Sequence, residues 1–235
     1  MKRLLVILLA VAGLLLGCSK AEDDGYWYLD PVPGGSIMEN SNADEIAVKA
    51  IVTVKRDADG VVFLQLDEDQ RLLPYDEIPF AGQQRAMCSL TILPAEDPVY
   101  GHRCKVHWLE ALDEGTFLSA DKSQAGNDGL EVLTDSWITG VEDGYLTIHY
   151  KAWWGIPAKH HDFTLLAGTD PLDPYKLVLM HDAHGDAQDE YSEGIVYFDI
   201  NSLPPTGDGV VRLTLQWDDN KGLGKTAVFD YRSRK

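Results

Sequence analysis

Positive charge is what this sequence lacks most: 20 Lys and Arg stand against 38 Asp and Glu in 235 residues, a formal net charge of −18. Nucleic-acid binding needs a basic groove that releases counterions from phosphates, so DNA and RNA are poor partners for this chain. Cysteine is also scarce, three in all, and no two form a CxxC pair, which disfavours a structural zinc site. A Gly-x-Ser-x-Gly elbow and an HExxH element are both missing, and with them the two most readable hydrolase signatures. No stretch shows convincing helical amphipathicity. What remains is 45% hydrophobic and 25% charged, an ordinary composition for a folded protein rather than a collagen-like, disordered or polytopic membrane chain.

The amino terminus carries the clearest signal. Met1-Lys2-Arg3 is basic, and Leu4 to Leu16 is an unbroken apolar run of 13 residues. That is too short to cross a hydrocarbon core of roughly 30 Å as a helix, but it suits the apolar region of a secretory leader. The segment closes on Leu15-Leu16-Gly17-Cys18, which resembles a bacterial lipobox. The resemblance implies removal of residues 1–17 and acylation of Cys18. One acyl chain holds a protein weakly and several hold it firmly, so two or three chains on Cys18 tether the rest to a membrane. Losing Lys2 and Arg3 makes the mature chain more acidic still, so the lipid and not a protein face is the expected attachment. Residues 18–24 then form a polar tether. Its Glu22-Asp23-Asp24 cluster is similar to the export signal of surface lipoproteins in the Bacteroidetes, which implies the outer membrane and its external face. A solvated linker on a periplasm-facing lipoprotein is the alternative.

Beyond the tether the hydrophobic period is two. Val48, Ala50, Val52 and Val54 alternate with Lys49, Thr53 and Lys55, giving one apolar and one wet face. Asp57-Ala58-Asp59-Gly60 and Asp67-Glu68-Asp69-Gln70 read as turns. Strands over Val61–Leu66, Arg71–Pro74, Gln83–Leu93 and Cys104–Leu112 complete a small barrel spanning residues 25–118. Residues 119–129 hold almost no apolar side chain and read as a linker. In 130–235, seven runs separated by turn signals fit a β-sandwich: Leu130–Ile138, Tyr145–Ala152, His161–Leu166, Tyr175–His181, Ser192–Asp199, Val210–Gln216 and Lys225–Tyr231. On one of them Val211, Leu213, Leu215 and Trp217 should face the core.

Several of these segments resemble the NigD-like lipoproteins of the Bacteroidetes. The likeness is carried by Gly25-Tyr26-Trp27, Phe63-Leu64-Gln65-Leu66-Asp67, Gly82-Gln83, Asp135-Ser136-Trp137-Ile138, Tyr145-Leu146-Thr147-Ile148 and Ser192 to Phe198. It implies an all-β chain, an N-terminal OB-like barrel followed by a seven-stranded antiparallel sandwich, and an association with bacteriocin loci. It brings no catalytic or ligand residue with it.

Cys88 and Cys104 are the thiols left once Cys18 is acylated. If their strands form an antiparallel pair turning at Glu96, the two lie opposite each other, and the expectation is a disulfide in an oxidising compartment. Such a bridge closes a loop of about 15 residues and stabilises by roughly 3 kcal/mol on the chain-entropy model. Two buried free thiols or a metal pair are the competing readings.

The remaining chemistry is diffuse. His181, His184 and Asp186, with His160 and His161 upstream, have the donor types for a divalent ion, and a metal-assisted hydrolase built on His160–Glu190 is the alternative to a non-catalytic role. Their spacing matches no metallohydrolase signature, and a solvated hairpin explains the segment more simply. Asp57–Gly60 and Asp218-Asp219-Asn220 offer calcium-type oxygens that turn chemistry also explains. No cofactor is implied. Trp27, Trp153 and Trp154 are the candidate ligand-binding aromatics: of the adjacent pair on one strand, one should face the core and the other solvent, where an indole can stack on a sugar or anchor a protein partner. The sequence therefore points to a membrane-tethered, non-catalytic β protein with a saccharide or protein ligand.

Overall fold

The computed structural model describes residues 27–28, 46–119 and 126–234, and every regular element among them is a β-strand. The leader, Cys18 and the acidic tether lie outside the described residues, as do positions 120–125 of the expected linker. Of Trp27 only the backbone is described. The chain divides into two compact units, the first ending at Leu112 and the second beginning at Asp113.

The first unit contains β1 (Trp27–Tyr28), β2 (Ile46–Arg56), β3 (Val62–Gln65), β4 (Arg71–Pro74), β5 (Gln84–Asp97) and β6 (Gly101–Ala111). Their order is β1-β2-β3-β4-β6-β5, and a further β2–β5 pairing closes a five-stranded barrel. Among the five barrel strands all pairings are antiparallel except β4–β6, as expected for a Greek-key OB-type barrel, and β1 adds to β2 in parallel. Val48, Ala50, Val52 and Val54 point inward with Leu64, Leu72, Ala86 and Leu90, as the alternation of β2 requires. The turn after β2 is held by Asp57, whose Oδ1 accepts from the amides of Asp59 and Val61 at 2.9 Å each. Gly60 takes φ +87° there, a conformation that costs a residue with a Cβ. Asp67 closes the next turn in the same way, accepting from Asp69 and Gln70 at 2.8 Å.

The disulfide expectation is corrected here. Cys88 and Cys104 are both buried free cysteines. The β5–β6 hairpin folds around 97–101 rather than Glu96, and irregularities after Ser89 and Ile92 shift its register. Cys104 therefore faces Ile92, and Cys88 faces Leu109. Both thiols sit in the apolar interior, where burial pushes each up to about 12. At that value the nucleophilic thiolate is almost unpopulated and the groups behave as small apolar side chains.

The second unit contains β7 (Asp113–Glu114), β8 (Thr116–Ser119), β9 (Glu131–Val132), β10 (Gly140–Glu142), β11 (Tyr145–Trp154), β12 (Asp162–Ala167), β13 (Lys176–Asp182), β14 (Glu190–Asp199), β15 (Val211–Asp218) and β16 (Gly224–Tyr231). One sheet runs β10-β11-β14-β7 with β9 also on β11, and the other runs β16-β15-β13-β12-β8. Six of the seven runs read from the sequence become long strands. The seventh, Leu130–Ile138, pairs only over Glu131–Val132 before the chain turns, with Ser136 N bonded to Leu133 O at 3.2 Å and Thr139 N to Ser136 O at 3.1 Å. Its place along β11 passes to β10, which pairs with Tyr145–Thr147. The sandwich is also not purely antiparallel: β7 joins β14, β8 joins β12 and β13 joins β15 in parallel. Residues 113–119, expected partly in the barrel, supply the first two of these edge strands.

The core fills between the two sheets. Leu213, Leu215 and Trp217 face Leu146, Ile148, Tyr150, Ala152, Val196 and Phe198, and burying each such large side chain contributes about 1.5–3 kcal/mol. Tyr150 is opposite Gly194 in the β11–β14 ladder. A Cβ at Gly194 would sit 2.5 Å from the Tyr150 hydroxyl oxygen, so the phenol occupies the space that any larger residue there would need.

Candidate functional site

The histidine and carboxylate region resolves into two clusters on the sandwich. In the inner one, strand alternation places His181 on the core-facing side of β13, following Leu177 and Leu179. Its partner across the ladder is Phe163, whose ring stacks on the imidazole at 4.9 Å between centroids and 14° between planes. His161 immediately precedes β12 and stacks on Trp154 at 3.8 Å and 8°. The two imidazoles meet edge to edge, with His181 Nε2 to His161 Nδ1 at 2.9 Å. His161 Nε2 then lies 3.3 Å from Asp186 Oδ2.

The ionised carboxylate can only accept, so this geometry orders the protons. His161 donates from Nε2 to Asp186 and accepts at Nδ1 from the Nε2–H of His181. Both imidazoles are neutral in this arrangement, and burial depresses both, His181 to about 4. Asp186 responds in the opposite sense. Burial raises it, but the amides of Gly155, Lys159 and Ala187 and the His161 imidazole outweigh that cost and bring it to about 2. Those amides lie at 2.9, 3.0 and 3.0 Å. The Asp186 side chain is only 2% exposed, so it is a buried anion satisfied by four donors. It ties the 155–161 loop to the 183–187 loop.

The outer cluster is solvated. Asp162 bridges two imidazoles, with His160 Nε2 at 2.9 Å from Oδ1 and His184 Nε2 at 2.8 Å from Oδ2, and its carboxylate raises His184. His184 occupies the left-handed turn with φ +51°. The three metal candidates thus part company: His181 and Asp186 belong to the buried relay through His161, while His184 belongs to the surface pair with Asp162. Among the described residues no group of three or more His, Cys, Asp or Glu is placed to hold a metal ion. The calcium-type carboxylate of Asp219 likewise serves its own turn, accepting from Lys221 and Leu223 at 2.8 and 2.9 Å.

The adjacent tryptophans divide as strand geometry requires. Trp154 turns inward onto His161, and Trp153 points out from the β11–β14 ladder opposite Tyr191. The two outward rings are 5.0 Å apart at 41°, each side chain's residue 37% exposed. Tyr191 is held at its far end: its hydroxyl donates to Glu131 Oε2 at 2.9 Å and accepts from Asn220 Nδ2 at 2.8 Å. Burial and Glu131 push the phenol up to about 12, so it remains a donor. Next along the same face, Lys151 pairs with Glu193 at 3.0 Å. His149, depressed by burial, bonds Ser136 Oγ at 2.8 Å and Glu193 Oε2 at 3.1 Å.

Ser136, His149 and Glu193 escaped sequence reasoning because 13 and 44 residues separate the bonded pairs. Their order has the form of a nucleophile, base and orienting acid. The serine oxygen, however, accepts from Ile138 N at 3.2 Å within its own turn. The same loop hangs on β11 by Leu133 N to His149 O at 2.9 Å and His149 N to Thr139 Oγ1 at 3.0 Å. An open depression on the unit is lined by other residues, among them Glu114, Phe117, Asp199 and Asn201. The serine–histidine bond is a pin for the 133–139 loop.

The model of the NigD-like C-terminal beta sandwich domain matches residues 114–231, the second unit almost from end to end. Among solved structures, a protein from Parabacteroides distasonis provisionally described as toxin-related is 27% identical, with 80% of this chain and 94% of that one aligned at a TM-score of 0.66. A NigD-like immunity protein from Bacteroides caccae is 18% identical, over 78% and 96% of the two chains, at 0.56. A protein from Bacteroides fragilis provisionally described as a lipoprotein is 14% identical, over 80% and 99%, at 0.52. The last two show a shared fold. No curated protein matches the chain.

Proposed function

Since this chain belongs to the NigD-like family, we propose that it is a lipid-anchored protein of the bacterial cell envelope with a non-catalytic binding role. The observation that carries the non-catalytic half is the arrangement of the histidines. His161 uses both ring nitrogens, on His181 and Asp186, and His184 and His160 are engaged by Asp162. A hydrolytic metal needs several such donors converging on one point with a coordination position left open; here they diverge into a buried relay and a surface pair. The half of the reading that concerns location rests on the leader and Cys18. The description of the Bacteroides fragilis relative as a lipoprotein agrees with it. The words toxin-related and immunity protein attached to two other relatives favour a narrower proposal, a part in protection against an envelope-directed toxin.

Acylation is tested by feeding an alkyne-bearing fatty acid to cells expressing the full chain. The wild type is expected to take up the label, start at Cys18 and sediment with membranes. Cys18→Ser is expected to be unlabelled and soluble. An unlabelled wild-type chain still beginning at Met1 contradicts the anchor. Protease applied to intact cells then separates the two leaflets: cleavage of the sandwich supports the external face, and full protection places it inside.

A further inference from the structure

We propose that the outward Trp153–Tyr191 platform on the β11–β14 ladder is a binding site for a neutral saccharide. The inference rests on the binding role proposed above and names its ligand class. Sugar rings present one face of C–H groups rimmed by hydroxyls, so a receptor needs an exposed aromatic surface beside groups that both donate and accept hydrogen bonds. Trp153 and Tyr191 supply the first, their centroids 5.0 Å apart on the open face of the sheet. Glu131 and Asn220 supply the second. Each uses one side-chain atom on the Tyr191 hydroxyl; the other Glu131 oxygen and the Asn220 carbonyl oxygen are acceptors outside those two bonds, and the second Nδ2 hydrogen of Asn220 is a donor outside them.

The platform is also built in advance. Tyr191 is clamped between a segment 60 residues away and a turn 29 residues away, so its ring does not lose rotameric freedom when a ligand lands. Rigid aromatics contribute affinity largely by avoiding that cost.

Charge selects within the saccharides and against other partners. The ionised groups near the pair include Glu131, Glu193 and Asp219 against Lys151, so the patch is acidic. That opposes uronic acids, sulfated glycans, nucleic acid and anionic lipid. A protein partner would want an anchoring aromatic ringed by apolar surface, whereas this pair is ringed by carboxylates, an ammonium and an amide.

The test is native gel electrophoresis of the full chain carrying Cys18→Ser, through gels containing a soluble neutral polysaccharide (a mannan, a xylan or a β-glucan in turn) or polygalacturonate. The expected result is retardation in at least one neutral polymer and none in polygalacturonate. Trp153→Ala and Tyr191→Ala should weaken the effect about tenfold, the loss of one stacked ring, with both variants still folded by circular dichroism. Tyr191→Phe, which keeps the ring but frees Glu131 and Asn220, should fall between. Retardation by no neutral polymer, equal retardation by polygalacturonate, or retardation unchanged in both alanine variants overturns the proposal. None of those results bears on whether Cys18 is acylated, so the anchor stands or falls separately.

Discussion

Asp186→Ala is expected to destabilise the sandwich unit by about 2–3 kcal/mol, the cost of removing a charged acceptor from several donors at once. The removed carboxylate accepts from Gly155 N, Lys159 N, Ala187 N and His161 Nε2, and His161 is 0% exposed at its side chain. A unit of this size has an unfolding entropy that converts such a loss into a fall in melting temperature on the order of 10 °C. Asp186→Asn should cost less, since its carbonyl still accepts while its amide meets like donors. Gly155→Ala should behave like a milder Asp186 change, because a Cβ at that position collides with the carboxylate. Denaturant unfolding of the Cys18→Ser chain measures all three, and an Asp186→Ala stability within about 0.5 kcal/mol of the parent, the usual range for surface changes, contradicts the relay.

The second large effect is acid sensitivity in two windows. His181 is depressed from 6.5 to about 4 in the folded chain. Folding therefore favours the neutral ring, and its stabilisation is fully present above about 6.5 and lost as pH falls from there towards about 4. The size is on the order of 3 kcal/mol, from about 1.4 kcal/mol per unit. His161 is shifted in the same direction by burial and adds to the loss. The carboxylates of Asp186 and Asp128 face the pair and oppose the shift, and His160 reinforces it. Asp186, held at about 2 against an ordinary 3.8, contributes above 3.8 and is lost only as pH falls further. His184, raised by Asp162, acts with the opposite sign, but it is exposed and screened. Unfolding free energy measured at intervals from about pH 7 to about pH 4 should decline throughout that range. His181→Phe, which can still stack on Phe163, should flatten the decline. A parent curve that is level across the range contradicts the neutral assignment.

Much of the fold was legible because it follows from period two and turn chemistry. The alternation at Val48–Val54 and at Leu213–Trp217 gave core faces that the packing confirms, and Asp57 and Asp67 close turns where their residue types belong. The cysteine pairing was not legible, since it depends on register, and the irregularities in the β5–β6 ladder leave no trace in hydropathy. The short edge strands at 113–119 were also hidden: two and four residues with parallel partners some 50 to 80 positions later carry no periodic signal. The inner cluster was half visible. His181 falls in phase with Leu177 and Leu179, which marks it as core-facing. Nothing in the spacing says that His161 would bond to it, because that depends on which strand neighbours β13. The Tyr191 clamp draws on three separated segments and is visible only once they are folded together.

If the histidines of the sandwich serve the fold, the chain has no resident metal ion. Metal analysis of the chain released from washed membranes decides this. Sub-stoichiometric zinc, iron, manganese and nickel are expected, unchanged in His161→Ala and His184→Ala. One equivalent of a single metal per chain, lost in either variant, would contradict this and return the hydrolase reading to the front.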